Sequence, residues 1–140
     1  MNTLHSEAGN SRPDLPVAQR MEPIQEPSAW LASELTDDSS WRHRLTPDEL
    51  KELGAAVAIV RSRGLGVGEF AREDFPLPTL GLRIESLVDG VENGRGIGLL
   101  QGVPINDYDD ASRRLLYWGF GVHAGKVISQ NSKGQLLAEV

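Results

Sequence analysis

Histidine, carboxylate and side-chain amide groups are what this chain could do chemistry with, and few of them fall at spacings that chemistry needs. His5-Ser6-Glu7 has the His-x-Glu form of one half of a 2-His-1-carboxylate iron face. It sits in a stretch punctuated by Pro13, Pro16, Pro23 and Pro27, with no hydrophobic period to fix ligand geometry, so the match reads as coincidence. His43 lies in Trp41-Arg42-His43-Arg44, a small basic patch, and is expected at the surface. His123 falls at the end of a predicted helix, where an imidazole suits the negative end of the dipole. The spacing of these histidines yields no nucleophile–base arrangement. The chain contains no cysteine, which excludes disulfides, thiolate chemistry and Cys-ligated zinc. No catalytic residue and no metal ligand is therefore assigned within this chain.

Two glycine clusters, Gly64-Leu65-Gly66-Val67-Gly68 and Gly94-Arg95-Gly96-Ile97-Gly98, invite a phosphate-loop reading. Neither fits G-x-G-x-x-G or the P-loop pattern, and the first follows a helix where a dinucleotide site needs a strand. Helix caps and strand entries explain them. Asp107-Tyr108-Asp109-Asp110 lacks the glycine and distal glutamate of a calcium loop; a negatively charged helix start accounts for it. Asp37-Asp38 has no visible partner and reads as a solvated turn. Gln130-Asn131 is the remaining candidate. An amide pair at the end of a short strand can aim donors and acceptors into a pocket. With Ser132-Lys133-Gly134 the same residues make good hairpin-turn chemistry. Both readings stay open.

These residues need elements to position them. The length of 140 residues suits one domain or part of one, and 39% hydrophobic with 24% charged residues is ordinary for a globular chain. A net charge of −6 argues against binding nucleic acid through phosphate contacts. No apolar run reaches the roughly 18–20 residues that cross a bilayer, and no secretory leader opens the chain. A cytoplasmic location is the expectation. Residues 1–27 read as a disordered tail and residues 28–140 as the folded part. Trp30 and Trp41 are expected to anchor the entry segment.

Thr46-Pro47-Asp48-Glu49 is a capping box with proline at the first helical position. Leu50, Leu53, Val57 and Val60 follow on one face, and Gly64 suits a left-handed cap. A second helix is expected from Pro78-Thr79 to Asn93-Gly94, burying Leu80, Ile84, Leu87 and Val91. Residues 96–100 read as a short buried strand closed by Gly102-Val103-Pro104. A third helix is expected over residues 109–122, with Ala111, Leu115, Trp118 and Val122 inward. Two further strands are expected at residues 126–130 and 135–140. The pattern predicts an α/β (α+β) arrangement with helices flanking an incomplete sheet. An apolar run at residues 135–140 suggests the front part of something longer. Its uncovered strand edge predicts self-association.

Three stretches carry a family likeness: Gly96-Ile97-Gly98-Leu99-Leu100-Gln101-Gly102-Val103-Pro104, Leu116-Tyr117-Trp118-Gly119-Phe120-Gly121-Val122-His123-Ala124-Gly125, and Gln130-Asn131 with Gly134 and residues 136–140. They resemble a strand ending in Gly-x-Pro, a helix ending in Gly-x-x-x-Gly, and a Gln-Asn turn into the next strand in the TauD/TfdA-like iron(II)- and 2-oxoglutarate-dependent dioxygenases, of the clavaminate synthase-like fold group. The resemblance implies the amino-terminal helices and first strands of a double-stranded β-helix, jelly-roll-like and incomplete. It implies a full-length enzyme that oxidises a small organic substrate with iron(II) and 2-oxoglutarate. In the family order, the iron ligands and the cosubstrate arginine follow the stretch that ends at Val140, so this chain would bind neither and would be inactive alone. The resemblance places Gln130 and Asn131 near a substrate pocket at most. The rival expectations are a non-catalytic binding or interaction module and an unrelated small α/β domain.

Overall fold

The computed structural model describes Pro23, residues 25–126 and Gly134. Its described elements are four helices, α1 (Ala32–Asp37), α2 (Pro47–Ser62), α3 (Leu80–Asn93) and α4 (Asp110–Ala124), and two strands, β1 (Arg42–Arg44) and β2 (Leu99–Gln101). Single 3-10 turns lie at Arg72–Asp74 and Ile105–Asp107. The architecture is α/β, as expected from the sequence. The expected strands at 126–130 and 135–140 fall outside the described residues, apart from Lys126 at the start of the first, and so does most of the 1–27 tail.

Helix α2 begins where its capping box puts it. Glu49 N–H donates to Thr46 Oγ1 at 3.2 Å, and Thr46 N–H donates to Glu49 Oε2 at 2.8 Å. It ends in a Schellman motif: Leu65 N–H reaches Val60 O and Gly64 N–H reaches Arg61 O, both at 3.0 Å. Gly64 takes a φ of +67° there, a conformation that costs a side-chain-bearing residue more than glycine. Leu53, Ala56, Val57 and Val60 are buried.

Helix α3 starts within a residue of the expected place, but Thr79 does not cap it. The Glu52 carboxylate of α2 does, accepting from Thr79 N–H at 3.1 Å and Leu80 N–H at 3.0 Å. A charge from a neighbouring helix thus satisfies amides that α3 leaves open. Leu80 and Ile84 are buried, but Val91 is 44% exposed, against expectation. No residue of α3 beyond Ile84 is buried; in its last turns Val88 packs against the core at partial burial, and Val91 faces the glycine-rich lead into β2, where a Cβ on Gly98 would lie 3.2 Å from Val91 Cγ2.

The first strand was not expected. β1 and β2 pair in parallel, Arg42 with Leu99, His43 with Leu100 and Arg44 with Gln101. The expected strand at 96–100 is shifted, because Gly96 turns with a φ of +74°. It is also less buried than expected, Leu99 being 40% exposed. The described sheet has only these two strands. Trp30 and Trp41 do act as anchors: their Nε1 groups donate to Arg95 O at 2.9 Å and Leu35 O at 3.1 Å.

Helix α4 packs against both α2 and α3. Asp109 caps it, accepting from Ser112 N–H at 2.8 Å. Leu115 and Trp118 face the core as expected, while Ala111 is exposed and Ser112 takes the inward place in that turn. Phe70, Phe75 and Leu77, from the aperiodic link between α2 and α3, complete the core. Gly119 is required here. A Cβ on it would sit 2.4 Å from the buried Phe75 ring.

Candidate functional site

His5, Gln130 and Asn131 lie outside the described residues. What the structure does locate are the other two histidines, the acidic clusters and three concavities.

His43 corrects the surface reading. In a strand, successive side chains point to opposite faces. Arg42 and Arg44 therefore turn outward and His43 turns in. Its side chain is 18% exposed, and its Nε2 lies 2.8 Å from Glu49 Oε2. Glu49 is itself 2% exposed. Burial alone would raise its carboxyl pKa, but the bond from Thr46 N–H and then the bond and charge of His43 outweigh it and hold the pKa below the ordinary value. The pair joins β1 to the first turn of α2. A charge so enclosed is a structural tie rather than a reagent open to substrate.

His123 is in the last turn of α4, as expected, but it caps a different segment. Its Nε2 lies 2.7 Å from Phe75 O, across 48 residues of sequence. A carbonyl only accepts, so Nε2 carries the proton. In the neutral ring Nδ1 is then a bare acceptor, and it is buried without a hydrogen-bond partner. The ring lies close over Gly81, where a Cβ would come within 3.1 Å of Nδ1. His123 also borders a shallow groove of about 400 Å³ with Arg72, Glu73, Pro76, Leu77, Pro78 and Leu82. The Arg72 guanidinium there already pairs with Glu85.

A second groove of about 260 Å³ is apolar, lined by Val103, Ile105, Leu116, Tyr117 and Phe120 with Arg113 at its rim. A third, of about 160 Å³, lies between Trp41 and the glycine turn after α3 and includes Ser40, Ser86 and Arg95.

The acidic segments are caps and ion pairs. Hydrogen bonds from the side chain and then the backbone of Ser112, with Arg61 beside them, bring the Asp109 carboxyl pKa down to about 2. Arg61 Nη1 lies 2.9 Å from Asp109 Oδ2, so this residue ties α2 to α4 rather than serving its own helix dipole. Asp38 is not the unpartnered turn residue expected. Arg95 Nη2 lies 2.9 Å from its Oδ2. Among the described residues no group of three or more His, Asp or Glu side chains could hold a metal ion. The described residues by themselves therefore do not fit a three-ligand iron centre. Among them, no helix is long and apolar enough to cross a membrane.

No family model matches the chain. Over 118 residues, 84% of its length, it is 26% identical to FR-33289 synthase of Streptomyces rubellomurinus (strain ATCC 31215). The chain spans 35% of that protein, so what it is similar to is about a third of a synthase.

Proposed function

We propose that this chain is the amino-terminal scaffold portion of a non-haem iron(II)- and 2-oxoglutarate-dependent oxygenase acting on a small organic substrate. The alignment with FR-33289 synthase carries the reading. At 118 residues it is too long to be confined to one motif, and it joins the likeness of the 96–104 and 116–125 segments to TauD/TfdA-like dioxygenases. In this reading α2, α3 and α4 form a helical buttress and β1 and β2 begin the sheet. Gln130 and Asn131 stand near the substrate pocket. The ligands that would hold iron are expected outside this chain, where the metal would supply oxygen activation, and in this reading the chain's own residues hold the buttress together through Glu49, Glu52 and Arg61.

The coding sequence that follows codon 140 tests the proposal. An in-frame His-x-Asp/Glu, a distal histidine and a later arginine support it. A downstream sequence without that set, in any frame, removes the oxygenase reading and leaves a binding module.

A further inference from the structure

From residue 25 to residue 40 no side chain is buried. Helix α1 buries none of its residues, and Leu31, at its N-cap, is 70% exposed. Apolar burial is the main stabilising term of a fold, so polar contacts hold this segment in place. Two of them reach far along the chain and end on one residue. Before α1, Trp30 Nε1 donates to Arg95 O at 2.9 Å. After α1, Arg95 Nε donates to Asp38 Oδ2 at 2.9 Å, and Arg95 Nη2 lies equally close to the same oxygen. Ser28 meets the next residue, Gly96, where an added Cβ would lie 3.5 Å from Ser28 Cβ. At the base of the segment Ser40 N–H donates to Asp38 Oδ1 at 2.9 Å, and Arg42 N–H donates to Ser39 O at 3.1 Å as the chain turns into β1.

We propose that residues 28–38 are a strap that opens and recloses as a unit, with Arg95 as its latch and residues 39–41 as its hinge, while α2, α3 and α4 stay folded. A segment that buries no side chain opens at a lower free energy than the core it lies on. Because one residue fastens both ends of α1, release at Arg95 frees the whole strap. Opening also changes the groove of about 160 Å³, since Ser40, Trp41 and Arg95 are among its walls. With the strap closed, the Arg95 guanidinium is paired with Asp38. With it open, that wall becomes an unpaired cation, while Ser86, Leu87 and Gly90 keep their places on α3. The inference does not depend on the chemistry proposed for the longer protein.

Native-state hydrogen exchange on the full chain, read residue by residue by NMR in low urea, tests this. The reporters are the amides of Leu35 and Asp38, bonded to Leu31 O and Glu34 O. They should be protected, yet exchange about 100-fold or more faster than the amides of Val57 and Val60 in α2. Their urea dependence should be weak, because opening the strap exposes little surface. Arg95→Ala and Trp30→Phe each remove one side of the latch. Each should quicken exchange at Leu35 and Asp38 about three- to tenfold and leave Val57 and Val60 unchanged. Both positions are outside the buried core, and circular dichroism checks that the variants fold. Strap amides as slow as those of α2, with the same urea slope, would make strap and core one cooperative unit and overturn the proposal. Strap amides without protection in the wild type would overturn it too, since there would be no closed form. Variants that quicken α2 equally, or leave Leu35 and Asp38 unchanged, would remove Arg95 as the latch.

Discussion

Two glycines two residues apart in α4 should respond to alanine with opposite signs. A Cβ on Gly119 would lie 2.4, 2.5 and 2.7 Å from three carbons of the Phe75 ring. Phe75 is 0% exposed and stacks on Phe70 with ring centroids 5.6 Å apart, so it has nowhere free to move. Carbon pairs prefer about 3.5–4.0 Å, so the ring must shift by roughly 1 Å into packed neighbours. Such overpacking typically costs about 1–3 kcal/mol. Alanine in a helix interior returns about 1 kcal/mol relative to glycine. The net expectation for Gly119→Ala is a loss of up to about 2 kcal/mol. Gly121 has no atom within 4 Å of its added Cβ, so Gly121→Ala keeps only the helical gain, about 0.5–1 kcal/mol. Thermal unfolding followed by circular dichroism reads both, at about 4 °C per kcal/mol for a domain of this size. The double variant Gly119→Ala with Phe75→Leu should recover part of the loss, since the smaller side chain makes room for the methyl group. Were Gly119→Ala to exceed the wild-type midpoint, or were the two losses simply to add, the packing of α4 on the link would be wrong.

Three further outcomes follow from the site. Glu52→Ala, which strips the cap from α3, should cost about 1 kcal/mol, with amide exchange quickening first at the start of that helix; Glu52→Gln, which keeps an acceptor, should cost less. Glu49 titrates below its ordinary value in the folded chain, so the native state holds fewer protons than the unfolded one. Its contribution is full above the unfolded value of about 4.3 and is lost as pH falls through the lower folded value; Glu49→Gln should therefore flatten the acid end of a stability–pH curve, and an unchanged acid limb would remove the His43–Glu49 tie. Anaerobic titration of the chain with iron(II) and 2-oxoglutarate should give no charge-transfer band, because the described residues offer no three-ligand group; a stoichiometric band that vanishes with His5→Ala would make the His5-Ser6-Glu7 match a real ligand pair.

Legibility from sequence followed the presence of a local signal. The start of α2 was legible because Thr46, Pro47 and Glu49 are all needed at one helix start, and its end because Gly64 alone suits the left-handed turn. The start of α3 was legible as a position but not as a mechanism. Its cap comes from Glu52, 28 residues before Leu80, and nothing local marks a contact so distant. β1 was missed because three residues, two of them arginine, carry no apolar alternation; the basic pattern read as surface, though alternation itself would have turned His43 inward. Phe70, Phe75 and Leu77 were missed as core because a link without period gives no face to assign.

The corrections share a cause, which bears on how the chain works. His43 with Glu49, His123 with Phe75 O, and Arg61 with Asp109 each join parts of the chain that no helical or strand period relates. Each polar tie also sits at an element's end: the first turn of α2, the last turn of α4, the junction of α2 with the start of α4. Periodic apolar positions bring the helices together, and close approaches such as Gly119 against the Phe75 ring interlock them with the link. A short, directional hydrogen bond at a terminus adds a fixed point to that packing. The histidines read from sequence as a surface residue and a helix-end residue each hydrogen-bond across elements in the described part of this chain, His43 from β1 to α2 and His123 from α4 to the link at Phe75.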